Sequence, residues 1–285
     1  AAVAWAGLQP AVRDSVTQLL QQAPSDADLA SLMPTAGADR ERAFFMHAST
    51  WADQVRDETH PGRREAYHRG RWHYTNVFWV QTPDGPLVMT ERTPAGEHAA
   101  ERLKTFIRTV GDSTLPAHER AIQLAWILHL VGDLHQPLHA SSRVSREHPE
   151  GDRGGGLVPL AGPDTYSTLH TYWDSILDLS YPAAPEESTI EHASRLAKRL
   201  PSQSAAGSRV AQEDPHTTYV GAESIDAWLQ ESAEVAQLSV YLPVVRAGTE
   251  PPALYRRHVL RIAREQLRVA GKRLAATLNH IWGSE

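Results

Sequence analysis

Between Leu128 and His139 the chain reads LHLVGDLHQPLH, which places His129, His135, His139 and Asp133 inside an apolar run. His129 and Asp133 are four residues apart, so on a helix they stand on one face. His135 lies six residues past His129 and points elsewhere. Pro137 stops or kinks the helix and sends His139 on another course. An imidazole and a carboxylate buried together need a partner, and a metal cation satisfies both.

Two further segments carry the same chemistry. In LHTYWD, His170 and Asp174 are again four residues apart on an expected helix. In WADQVR, Asp53 precedes by twenty residues the His73 of RWHYTN. The chain has no cysteine, which excludes thiolate sites, disulfides and cysteine nucleophiles. Neutral imidazoles and carboxylates are the donors that suit zinc when thiolates are missing. One His-x-x-x-Asp is more often a satisfied core histidine. Two such pairs, beside HQPLH and WAD, point to metal.

The 285 residues carry a formal charge of −6, which argues against a broad basic surface that tracks nucleic acid. Bound metal would supply positive charge locally, and two divalent ions would cut that negative charge by four units. No apolar run reaches the about 18 residues of a membrane span. Ala2-Val3-Ala4 has the small-x-small form of a signal-peptidase site, so residues 1–4 are expected to be a leader remnant and 5–285 one domain.

The elements that must position these donors follow from periodicity. Leu8–Gln22, Arg40–Asp57, Ala95–Val110, Leu115–Leu134, Tyr166–Leu179, Ile190–Leu200, Ala222–Val240 and Leu254–Trp282 repeat apolar residues at helical spacing. A short helix capped by Ser25-Asp26 is also expected. The stretch Leu115–Leu134 is apolar nearly all round, as a helix central to a bundle is. Trp72–Glu91 reads as a β-hairpin about Thr82-Pro83-Asp84-Gly85-Pro86. Glu58–Gly70, the Gly-rich Ser141–Asp164 and Pro201–Val220 read as loops. The expected fold is mainly α, a single helical domain with a small β-hairpin and a zinc cluster in a cleft between helices.

The motifs WAD, HY, HLVGDLHQPLH and LHTYWD, in this order and spacing, resemble the zinc-dependent single-strand nucleases of the S1/P1 type. These are secreted or periplasmic phosphodiesterases related to zinc phospholipase C. The C-terminal WLQESAEVAQLSVY and AGKRLAATLNHIW also resemble that family, so the likeness runs from about Ala43 to Trp282. It implies one zinc on Asp53, His73 and His129 with Asp133, and a second on His139, His170 and Asp174. Asp53 would also orient the attacking water, Asp133 would bridge to a third zinc, and Arg56 would contact the phosphate. His135 would be structural, orienting a carboxylate or a backbone group. His68 stands at a distance from Asp53 in sequence that would also permit ligation.

The third zinc is where the chain departs from the family. The resemblance calls for an N-terminal Trp whose amine and carbonyl bind metal, and for a histidine five residues on. Cleavage after Ala4 would free the amine of Trp5 and implies a periplasmic or secreted protein, but the histidine position is Pro10. Three readings stand: a two-zinc protein, His47 as a substitute ligand, or a catalytically weakened zinc-binding relative. Gly156 and Thr168 replace asparagines of the family pattern near the phosphate. The activity implied is hydrolysis of single-stranded DNA or RNA to 5′-nucleotides, with 3′-nucleotidase activity. Tyr74 and Phe78, with Trp79, are candidates for base stacking. The alternative is a phospholipase C-like hydrolase, although such relatives use Glu at the position of Asp174. Substrate is the only partner expected, with no obligate protein partner.

Overall fold

The computed structural model describes residues 1–93, 96–201 and 221–283. The loop expected over 201–220 lies, apart from Pro201, outside them. The fold is mainly α, as the periodicity predicts. Helices α1 (Ala2–Gly7) and α2 (Pro10–Leu20) open it. Pro10 sits at the first helical position of α2, where its missing N–H costs nothing. Residues 2–4, expected as a leader remnant, form the first turn of α1, and Ala4 is fully buried.

The helix expected over Arg40–Asp57 is two: α3 (Arg40–Ala48) and α4 (Trp51–Gln54). Between them the Ser49 hydroxyl donates to the Met46 carbonyl and the Thr50 hydroxyl to the His47 carbonyl. Such side chains compete with the helical ladder and bend it. The stretch 58–70 is not all loop. It holds α5 (Pro61–Tyr67), with Pro61 at its start, where the fixed φ of proline favours a first turn.

A 3₁₀ turn, Gly70–His73, then leads to β1 (Val77–Thr82), which pairs antiparallel with β2 (Gly85–Val88) as the turn residues predict. A third strand lies outside the expected hairpin. β3 (Ser141–Val144) pairs parallel with β1, with Val77 opposite Ser141, giving the order β2-β1-β3. Four residues next to a Gly-rich stretch are too few to show a period.

Helices α6 (Ala99–Thr109), α7 (Ala117–Leu134), α8 (Leu169–Ser180), α9 (Thr189–Lys198), α10 (Ile225–Val235) and α11 (Ala253–Trp282) complete the described chain. A π turn, Ala236–Val240, follows α10. Among the described residues no helix is long and apolar enough to cross a membrane.

Apolar burial explains the arrangement. On α7, Leu124, Ala125, Trp126, Ile127, Leu128, Leu130 and Val131 are all buried, so packing surrounds the helix. Each large apolar side chain there contributes about 1.5–3 kcal/mol. They join α2, α3, α4, α6 and α10 in the larger core. A smaller core gathers Leu138, Tyr166, Tyr172, Trp173 and Ile176 against Tyr255, Val259 and Ile262 of α11. Further along, α11 enters the larger core with Leu274, Ala275 and Leu278. One helix thus runs through both. The donors of the opening motif lie where the two cores meet, on the last two turns of α7 and the turn after it.

Candidate metal centre

Helix α4 presents Asp53, the 3₁₀ turn presents His73, and α7 presents His129 and Asp133 from one face. The side chain of His129 donates from Nδ1 to the Ser49 carbonyl at 2.9 Å, the carbonyl freed where α3 breaks from α4. Its Nε2 therefore carries a bare lone pair. That lone pair faces Asp133 Oδ2 at 3.1 Å and His73 Nδ1 at 3.0 Å, with Asp53 Oδ1 at 3.8 Å. His73 Nδ1 is itself 3.1 Å from Asp133 Oδ2 and 3.9 Å from Asp53 Oδ1.

The second group repeats this logic after the turn at Pro137. His139 donates from Nδ1 to the His73 carbonyl at 2.8 Å, and His170 from Nδ1 to the Gly154 carbonyl at 2.9 Å. Their Nε2 atoms face the two oxygens of Asp174, at 3.7 and 3.6 Å respectively. The two rings stack, with centroids 4.9 Å apart. Asp133 lies between the groups: its Oδ1 is 3.6 Å from His139 Nδ1, the ring nitrogen turned to the His73 carbonyl. Among the described residues, Asp53-His73-His129 and His139-His170-Asp174 are the sets whose donor atoms converge closely enough to hold an ion.

Acceptors that face acceptors at these distances require protons or cations between them. In the metal-free state protons do this work. Burial alone would raise Asp133, but His129, His139 and His73 hold it well below the usual carboxylate range. Burial alone would lower His139, yet Asp133 and Asp174 raise it to about 9. The donor set, nitrogen and oxygen with carbonyl-oriented imidazoles, fits zinc. His73 and His129 are nearly buried, whereas Asp53 and Asp174 have side chains 48% and 44% exposed. Each group is thus closed behind and open in front, as catalytic rather than structural zinc sites are.

Gln136 was not singled out by the sequence pattern and belongs here. Its amide donates to Asp174 Oδ1 at 2.9 Å while its carbonyl accepts the Leu138 N–H at 2.6 Å. Gln136→Ala is expected to weaken metal binding at the second group by about 10-fold, the lower end for the loss of a partner to a metal ligand. Zinc titration of the purified variant checks this, and an unchanged affinity rejects it.

The other expected residues divide. Arg56 forms an ion pair with Asp53 at the open side, both half exposed. Tyr74 is 39% exposed beside His73. Phe78 is not a free platform, because the Arg92 guanidinium covers its ring at 4.7 Å. Trp79 is fully buried and donates to the Ser141 hydroxyl. Trp5 lies on α1, buried, and belongs to neither converging set. Its nitrogen is an amide donating to the Ala1 carbonyl at 2.9 Å, and its ring packs on Phe45. His47 and His68 belong to neither converging set. Thr168 caps α8 through the Thr171 N–H, so its hydroxyl serves the helix.

His135 is structural. It donates from Nδ1 to the Val131 carbonyl and accepts from the Arg273 guanidinium at 3.0 Å. Burial and the charge of Arg273 push its pKa down to about 3, so it stays neutral and pins the end of α7 to α11.

A model of the S1/P1 nuclease family matches residues 1–283. Nuclease PA3 of a Penicillium species is 22% identical over 258 residues, covering 85% of this chain and 86% of its own. Nuclease P1 of Penicillium citrinum is 22% identical over 261 residues, with the same coverage of 85% and 86%. Endonuclease 2 of Arabidopsis thaliana is 30% identical over 162 residues, covering 56% of this chain and 51% of its own.

Proposed function

Because this chain belongs to the S1/P1 nuclease family and is a nuclease, we propose that it is a two-zinc phosphodiesterase that cuts single-stranded DNA and RNA to 5′-nucleotides and removes 3′-phosphates from nucleotides. The observation that carries the reading is the pair of donor groups with Asp133 between them, each open at one aspartate. Divalent ions held there supply Lewis acidity and a water acidified to a pKa of about 7.

The chain's own residues supply the rest. His129, His139 and His170 are each held through Nδ1 by a backbone carbonyl, so their Nε2 lone pairs stay aimed without reorganisation. Asp53 faces the opening and is placed to orient a water. Arg56, already at that opening, is long enough to leave Asp53 for a phosphate oxygen once the carboxylate is engaged. Tyr74 offers an exposed ring to an unpaired base, a contact worth about 1–3 kcal/mol that a base held in a duplex does not make.

The third zinc is left out of the proposal, since Pro10 offers no donor at the position where the family pattern has histidine. A periplasmic or secreted location is part of the proposal, resting on the family resemblance and the Ala2-Val3-Ala4 string. Fractionation of source cells that leaves all activity in the cytoplasm would reject that part.

Elemental analysis is expected to find two zinc ions per chain, and single-stranded DNA is expected to be cut at least about 5-fold faster than duplex, as stacking of that size implies. Equal rates on both substrates, or cleavage that survives a chelator, would overturn the reading.

A further inference from the structure

Behind the second donor group the chain buries a carboxylate that the reaction above does not use. Asp152, in the GDRGGG stretch, is 1% exposed. Its Oδ1 accepts the Arg143 N–H at 2.9 Å, and its own N–H donates to the Arg143 carbonyl at 2.9 Å. The residue therefore zips the loop to β3, the strand that begins two residues after His139. Its other oxygen is buried. Burial, and after it this carboxylate beside the hydroxyl, raises the pKa of Tyr241, next to the π turn, well above 10. The Arg143 side chain fills the space between the Trp79 and Tyr241 rings, 5.7 and 5.8 Å from their centroids.

Two residues further on, the loop delivers the Gly154 carbonyl to His170 Nδ1. Gly154 has φ +59, and a Cβ there would fall 2.1 Å from the Leu138 carbonyl, so the backbone is pressed onto the HQPLH turn. The Asp152 carbonyl closes this bend by accepting the Leu157 N–H at 3.0 Å. A buried carboxylate with one oxygen on a strand and the other toward a tyrosine is costly unless its contacts do something.

We propose that Asp152, backed by Tyr241 and Arg143, is a positioning residue for the second metal group: it fixes the Gly154 carbonyl, and through it the ring of His170, against the turn that bears His139. The proposal rests on reading that group as a metal site, not on the identity of the substrate. Zinc titration of the full chain, with circular dichroism and thermal melting to follow the fold, tests it.

Wild type is expected to take up two ions. Asp152→Ala is expected to keep one at wild-type affinity and to weaken the other by about 10–100-fold, the range for partners of metal ligands. Asp152→Asn retains an acceptor for the Arg143 N–H and is expected to bind close to wild type. A purely structural role would lower the melting temperature and leave both affinities alone. Wild-type binding by Asp152→Ala overturns the proposal, and so does an Asp152→Asn variant as weak as Asp152→Ala. If Asp152→Ala does not fold, Tyr241→Phe removes only the hydroxyl and is expected to weaken the same ion; unchanged binding then overturns the proposal. Zinc uptake is read independently of cleavage. A wild type that binds two ions yet leaves single-stranded DNA intact therefore overturns the substrate reading alone.

Discussion

Asparagine in place of Asp133 is expected to lower the zinc content of the protein below one ion per chain and to reduce cleavage by at least about 100-fold, beyond the usual cost of losing a partner to a ligand. Asp133 touches both groups. Its Oδ2 is 3.1 Å from His73 and from His129, and its Oδ1 is 3.6 Å from His139. Asparagine keeps the shape but removes the charge and replaces one oxygen by an NH₂ group. That NH₂ donates to the imidazole lone pair that a cation would take, so the cluster is satisfied without metal. The metal-free fold is expected to survive, because the substitution is isosteric at a site surrounded by helix α7. Metal analysis and cleavage of single-stranded DNA on one preparation decide the matter. Two ions and a wild-type rate would show that Asp133 is not shared between the groups.

Stripping the ions from the wild type is expected to abolish cleavage and to leave a protein whose stability peaks near pH 6.5. Two histidines act in opposite directions. His139 is raised from 6.5 to about 9, so the stability it contributes is complete below 6.5 and is lost as pH rises through about 9. His135 is depressed from 6.5 to about 3. The unfolded chain then binds more protons between those values, and stability is lost as pH falls from 6.5 toward 3. The depressed Asp133 adds a loss on the same acidic side, as pH falls below its ordinary 3.8. Melting of the chelated protein across pH 4 to 9 checks this, and a monotonic rise over that range would contradict it. Zinc must displace the proton of His139, so its affinity is expected to climb with pH up to about 9. With zinc restored at about 1,000 times its Kd, the fold gains roughly 4 kcal/mol.

The main departures from the sequence reading have local causes. Ser49 and Thr50 break the expected helix Arg40–Asp57 because their hydroxyls take the carbonyls of its last turn. A single proline start made α5 out of an expected loop. Strand β3 exists only because β1 lies beside it, so no pattern within Ser141–Val144 announces it. Phe78 has the ring type of a base platform, and Arg92, fourteen residues away, lies over it.

By itself the sequence determined the mainly α architecture and the central place of α7, and it names the candidate donors. Helical spacing puts His129 with Asp133, and His170 with Asp174, on common faces before any tertiary contact forms. Only the tertiary structure decided how those donors are aimed. The carbonyls of Ser49, His73 and Gly154 hold the rings of His129, His139 and His170. Gln136 steadies Asp174, and Asp133 lies between the groups. The reason is physical. A side chain declares its chemistry wherever it stands, but every residue carries the same carbonyl, and which one meets an imidazole is settled only when distant segments pack.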